Sequence, residues 1–190
     1  DGTYGQFIPG VAESDALAIG VEGHIAMLAK SPDRRSNLGF ANFSGNAGTA
    51  LVRLYDSGGA EIGFKSSDVP PYGQVQLNDV FAVAGAAARY VARATVVGDV
   101  PLVAYASVID QSTGDPVAVM AVLEPTALAD LVLPAAARAA GVGTSLWRTD
   151  LRIFNPSPST ATVTLAYHAK GVGGAPAATV SRQVAAGAIL

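Results

Sequence analysis

The chain contains no cysteine, and that one absence removes disulfides, zinc-thiolate centres and thiol catalysis together. Histidine is nearly as scarce: His24 and His168 are the only two, and neither has a second histidine or a close carboxylate at ligand spacing. Both are expected to be ordinary surface residues. Basic charge is also short, with 12 Lys and Arg against 15 Asp and Glu, a net charge of -3 and an isoelectric point near 5.2. No basic stripe exists for a phosphate backbone or an anionic membrane, so no nucleic-acid partner is expected. A long uninterrupted apolar run is missing as well. The most apolar stretch, from Val117 to Gly143, is broken by Glu124, Asp130, Arg138, Pro125 and Pro134, and reads as strand, linker and strand rather than a membrane span.

Catalytic motifs are absent too. No G-x-S-x-G elbow is present, and Gly171-Val172-Gly173-Gly174 lacks the lysine and following helix of a phosphate loop. No cofactor is expected. Asp110 and Asp115 bracket Ser112 and Thr113 and offer oxygens to calcium, but Asx turns and Pro116 account for the same residues as hairpin punctuation.

What the chain does have is 50% hydrophobic residues in 190, enough for a sizeable core, arranged with period two. Val163, Leu165 and Tyr167 alternate with Thr162 and Thr164, and Ala50, Val52 and Leu54 form the matching inward set. Val75 and Leu77 alternate with Gln74 and Gln76, and Tyr90, Ala92, Ala94 and Val96 with Arg89, Arg93 and Thr95. Residues 102–109 and 117–123 are uniformly apolar, the pattern of central strands covered on both faces. Turn residues separate these segments at Asp56-Ser57-Gly58-Gly59, Pro70-Pro71-Tyr72-Gly73, Gly98-Asp99-Val100-Pro101 and Asp110 to Pro116. Helix is expected only as short pieces near Ser14 to Ile19 and after Asn78 or Asp79.

One segment occurs twice. RRSNLGFANFSGNAGTALVRLYD around Arg35 matches WRTDLRIFNPSPSTATVTLAYH around Arg148. Arg35 and Arg148 differ by 113 positions, as do Asn42 and Asn155, with Val52 and Val163 differing by 111 and Gly73 and Gly187 by 114. Upstream, Phe7-Ile8-Pro9 matches Val132-Leu133-Pro134 at a difference of 125, which implies an insertion across roughly Asp15 to Pro32. The first copy runs on to Leu123, whereas the second reaches Leu190 at a point matching about Gln76 or Leu77. The paired Arg and Asn are expected to be strand-end devices, the Asn bonding nearby backbone and the Arg pairing with an acid.

The fold class this implies is all-β: Ig-like antiparallel β-sandwich modules, nearly complete over residues 1–124 with an N-terminal connecting strand, and incomplete over 125–190. Leu38, Phe40, Val52 and Leu54 are the expected core of one module, with Leu151, Ile153, Val163 and Leu165 that of the other. Starting at Asp1 without Met or a signal-type segment, the chain reads as a processed product or part of something longer.

The segments TYGQFIPGV, RSNLGFANFSG, QLNDVF, YASVIDQSTGDPV and WRTDLRIFNPS resemble a tandem β-sandwich repeat of large secreted or cell-surface bacterial proteins. The resemblance spans nearly the whole chain. It implies an extracellular or cell-surface location and no enzymatic activity, with TYGQFIP ending one repeat and leading into the next. The expected role is a structural or adhesive module of a surface assembly, its unfinished second module taking strands from another chain, its own copies among them, or from the remainder of this one, with Thr3 to Pro9 the candidate donor that would join subunits into filaments. Tyr4, Phe7, Ile8, Trp147 and Arg148 are the interface candidates. An accessory or scaffolding subunit of a larger complex is the rival reading. A carbohydrate-binding module is a third, and it lacks the expected aromatic platform.

Overall fold

The computed structural model describes residues 5–123, 130–143 and 146–190, with the backbone alone at Trp147. Tyr4 and the Trp147 side chain, two of the interface candidates, therefore lie outside the described residues. In chain order the strands are β1 (Gly23–Lys30), β2 (Arg34–Asn42), β3 (Gly48–Asp56), β4 (Glu61–Val69), β5 (Gln74–Leu77), β6 (Arg89–Gly98), β7 (Leu102–Asp110), β8 (Pro116–Met120), β9 (Arg138–Ala140), β10 (Leu146–Arg148), β11 (Ala161–Tyr167) and β12 (Ala178–Val184). One helical turn, α1 (Val80–Val83), follows Asp79, whose carboxylate accepts the Ala82 N–H as its cap.

The alternation seen in the sequence builds two four-stranded antiparallel sheets, ordered β1-β6-β3-β4 and β5-β2-β7-β8. Each strand turns one set of side chains into the space between the sheets. Leu38 and Phe40 of β2 meet Val52 and Leu54 of β3, Ala92, Ala94 and Val96 of β6, and Leu102, Ala104 and Ala106 of β7, all fully or almost fully buried. Phe81 and Val80 of α1 join the same core. Burial of each large side chain contributes about 1.5–3 kcal/mol, so this interior carries the stability of the fold.

The architecture is the all-β antiparallel sandwich that the sequence implies. Its connectivity is its own: the first strand lies beside the sixth, whereas the immunoglobulin arrangement A-B-E-D puts the first beside the second. Strand β8 is an edge strand rather than a central one, and Val117, Val122 and Leu123 are exposed. The first expected helix is a single 3-10 turn at Glu13–Asp15.

Strand β1 falls inside the stretch read as an insertion. Its ladder with β6 shifts register between Ile25 and Leu28 and again between Leu28 and Lys30, and Met27 takes a left-handed φ of 67°. The Ser36 hydroxyl donates to the Ala29 carbonyl and accepts from the Ala29 N–H, both at 2.9 Å. A fully buried serine thereby satisfies backbone at the distortion.

The C-terminal residues form two ribbons, β9 with β10 and β11 with β12, and an isolated bridge between Phe154 and Ile189. The β11–β12 ribbon is two-faced. Val163, Leu165 and Tyr167 share one side with Ala178, Val180, Arg182 and Val184, while Thr162 and Thr164 stand opposite Gln183 and Ser181 on the other. Of the second expected core set, Ile153, Val163 and Leu165 are only half-buried and Leu151 is exposed. The alternation is as read, but among the described residues β11 pairs with β12 alone, so no second sheet edge or layer covers it.

Candidate interaction surface

Asn42 ends β2 at almost complete burial. Its Nδ2 donates to the carbonyls of Asn46 (2.7 Å) and Pro70 (3.1 Å), and its Oδ1 accepts from the Ser44 N–H and hydroxyl. The same arrangement recurs at Asn155, where Nδ2 reaches the carbonyls of Ser159 (2.8 Å) and Ala185 (3.0 Å) and Oδ1 takes the Ser157 N–H and hydroxyl. Residues 42, 44 and 46 thus correspond to 155, 157 and 159, each 113 positions on, and β3 and β11 start at 48 and 161. Further along, the Asn42 N–H donates to Gly73 O and that of Asn155 to Ala188 O; Gly73 N–H closes on Pro70 O as Ala188 N–H closes on Ala185 O.

This geometry moves part of the expected alignment. Leu165, not Val163, stands at the place of Val52, and Val163 stands at that of Ala50. Gly187, with φ 66°, matches Tyr72, with φ 50°. The facing parity of β11 is unchanged because its shift is two residues.

The C-terminal part touches the sandwich through Arg93. Its guanidinium lies 4.0 Å from the Tyr55 ring centroid and 4.6 Å from that of Phe154, and its Nε donates to Gly187 O at 3.2 Å. Burial pulls the guanidinium below its ordinary value, with Tyr55 and Glu22 acting the other way. The Ile189 N–H donates to Ser57 O, and Gly59, at φ 88°, lies so close to Gly187 that a Cβ there would come within 2.8 Å of its carbonyl oxygen. The ring of His24 stacks at 5.6 Å from Phe154. These contacts account for the burial of Arg93, which alternates with the inward set, and Thr95 on the same face is buried opposite His24. His24 is half-buried for the same reason, while His168 is exposed.

Other candidates fall in separate places. Phe7 is 82% exposed and Ile8 is also exposed; residues 5–9 form no strand, and Gln6 is held by the Ser107 hydroxyl at 2.9 Å. Arg148 is exposed in β10, opposite Arg138 of β9. The acid pairing expected of Arg35 is made by its neighbour, Arg34, with Asp150 at 3.1 Å.

The Asp110 carboxylate accepts the N–H groups of Ser112 and Thr113, which hold it below the usual carboxylate range, and Asp115 donates its own N–H to the Thr113 hydroxyl. Both aspartates thus belong to the hairpin turn. Among the described residues no group of three or more His, Cys, Asp or Glu is placed to hold a metal ion, and no helix is long and apolar enough to cross a membrane.

The surface that stands out is the largely apolar side of the β11–β12 ribbon. Leu165 faces Val180 across the strands, Tyr167 faces Ala178 and Val163 faces Arg182, with Tyr167 and Val180 exposed. Alternation in the sequence reports which side chains share this face, and the pairing of β11 with β12 alone among the described residues leaves the face open.

No family model matches the chain, and no curated protein matches it. Among solved structures it is similar to Thermotoga maritima 1070, at 9% identity and a TM-score of 0.45, over 55% of this chain and 93% of that one. It is also similar to the Anabaena sensory rhodopsin transducer, at 16% identity and a TM-score of 0.37, over 46% of this chain and 96% of that one.

Proposed function

We propose that the protein is a non-enzymatic structural or adhesive module of an extracellular or cell-surface assembly, built from a repeated β-sandwich unit and joined to other protein through the open strands of its C-terminal half. The observation that carries this reading is a contrast in burial: Val52 is fully buried, while its counterpart Leu165 is half in water beside exposed Val180. An amphipathic two-stranded ribbon has marginal stability alone, and its unpaired edge is a template for further strands. The matching bonds at Asn42 and Asn155 support the repeat, and the sequence resemblance supports the location. Sedimentation of the chain from low to high micromolar concentration tests the association. Concentration-dependent growth, lost on Leu165→Asp, is expected. A monomer throughout that range overturns self-association, and substrate turnover abolished by changing one polar residue overturns the non-enzymatic reading.

A further inference from the structure

The first half indicates what belongs on the open face of the second. Strand β3 pairs with β4 on one side and β6 on the other, and β2 pairs with β5 on one side and β7 on the other. In the second half β11 has β12, and the bridge from Phe154 to Ile189 repeats that from Ala41 to Gln74. The counterparts of β6 and β7 are the ones missing among the described residues. In the first half these two strands form one continuous arch: β6 lies on β3 with Val96 opposite Val52, the chain crosses between sheets at Asp99, and β7 lies on β2 with Ala104 opposite Phe40.

We infer that the open edges of β11 and of residues 151–155 take up a single strand–bend–strand segment of the β6–β7 kind, with small apolar residues at alternate positions and an aspartate at the bend. This inference rests on the assembly reading above and names what is taken up. Backbone pairing would supply affinity and the alternate side chains the specificity.

Two residues sharpen the chemistry. Asp99 closes the first-half bend by accepting the Thr49 N–H at 2.6 Å and its hydroxyl at 3.0 Å. Thr162 occupies the place of Thr49, 113 positions on, and is exposed. It offers a hydroxyl at the same place to a carboxylate at the bend. Ala161 occupies the place of Gly48, where an added Cβ would press on both the Asp99 carboxylate and the Val100 side chain. The arch that fits the second half therefore sets its aspartate off the position Asp99 takes and carries a smaller residue than valine after it.

The probe is a synthetic peptide of residues 89–110 with Val100→Gly, added to the full chain while backbone hydrogen exchange is followed by mass spectrometry. Saturable slowing of exchange, at least tenfold and confined to residues 151–155 and 161–167, is the expected result. The same peptide carrying Asp99→Asn should bind several-fold more weakly, and one carrying Ala94→Asp with Ala104→Asp should give no protection. No protection from the probe, or equal protection from the doubly charged peptide, overturns the inference. So does prior protection of both edges in a dimer of the chain alone, which would make a second copy the occupant. A chain that associates in sedimentation yet ignores the peptide retains the assembly reading and loses only the arch.

Discussion

The guanidinium of Arg93 lies 4.6 Å from the ring centroid of Phe154, 61 positions away in the chain, and thereby ties the C-terminal ribbon to the outer face of the sandwich. Tyr55 also meets it, at 4.0 Å, so one cation contacts two rings. Each such contact is worth up to about 2 kcal/mol when water is excluded.

Replacing Arg93 with alanine is therefore expected to loosen the junction and not the sandwich. Amides at Asn155 and at 187–190 should exchange faster by an amount corresponding to about 2 kcal/mol, while those of Phe40 and Val52 keep their rates. Arg93→Lys should restore only part of the loss, because an ammonium cannot lie flat against two rings and donate to the Gly187 carbonyl at once.

Asn42→Asp and Asn155→Asp remove the same amide donors from the same kind of turn, leaving carbonyls without partners and a carboxylate beside them. The expected cost of each is about 1–3 kcal/mol. The readouts should differ. Asn42 ends a strand of the cooperative core, so calorimetry should show the main transition shifting down. Asn155 lies in the ribbon, so its substitution should appear mainly as faster exchange in residues 153–190, with the main transition almost unmoved.

The Asp99 carboxylate is held below the usual range first by the Thr49 N–H and next by the Thr49 hydroxyl. A carboxylate whose value in the folded chain is depressed stabilises the fold fully above its unfolded value, and the contribution fades as pH falls through the folded value. Stability against urea should thus be flat above about pH 5 and decline toward about pH 2, with Asp99→Asn giving a shallower acid limb than the native chain. An unchanged limb in that variant would assign the pH dependence elsewhere, Asp110 being the next group to substitute.

Much of the fold is legible in the sequence because period-two alternation is a local consequence of the pleat. Leu38, Phe40, Val52 and Leu54 show it, and all four are fully buried. The paired asparagines are legible by recurrence. Strand β1 is not: the bulge at Met27 places the buried Ile25 and Leu28 three apart, a spacing that does not read as a strand. Neither is the burial of Arg93, which depends on residues from 154 to 189 arriving over a face patterned for water. The apolar side of the ribbon is legible in the alternation of Val163, Leu165 and Tyr167, which carries the pattern of a core.

The distorted β1 has a bearing on assembly. Its outer edge is already occupied at His24, which exchanges both backbone bonds with Val122, and beyond that point the turn at Met27 throws the remaining donors and acceptors out of line. The facing edge of that sheet, β4, carries Glu61, Lys65 and Asp68. Charge and kinking of this kind make poor neighbours for an incoming strand. In the assembly proposed above, this sheet would therefore offer no ready edge to an incoming strand, and uptake would fall to other edges, that of the C-terminal ribbon among them.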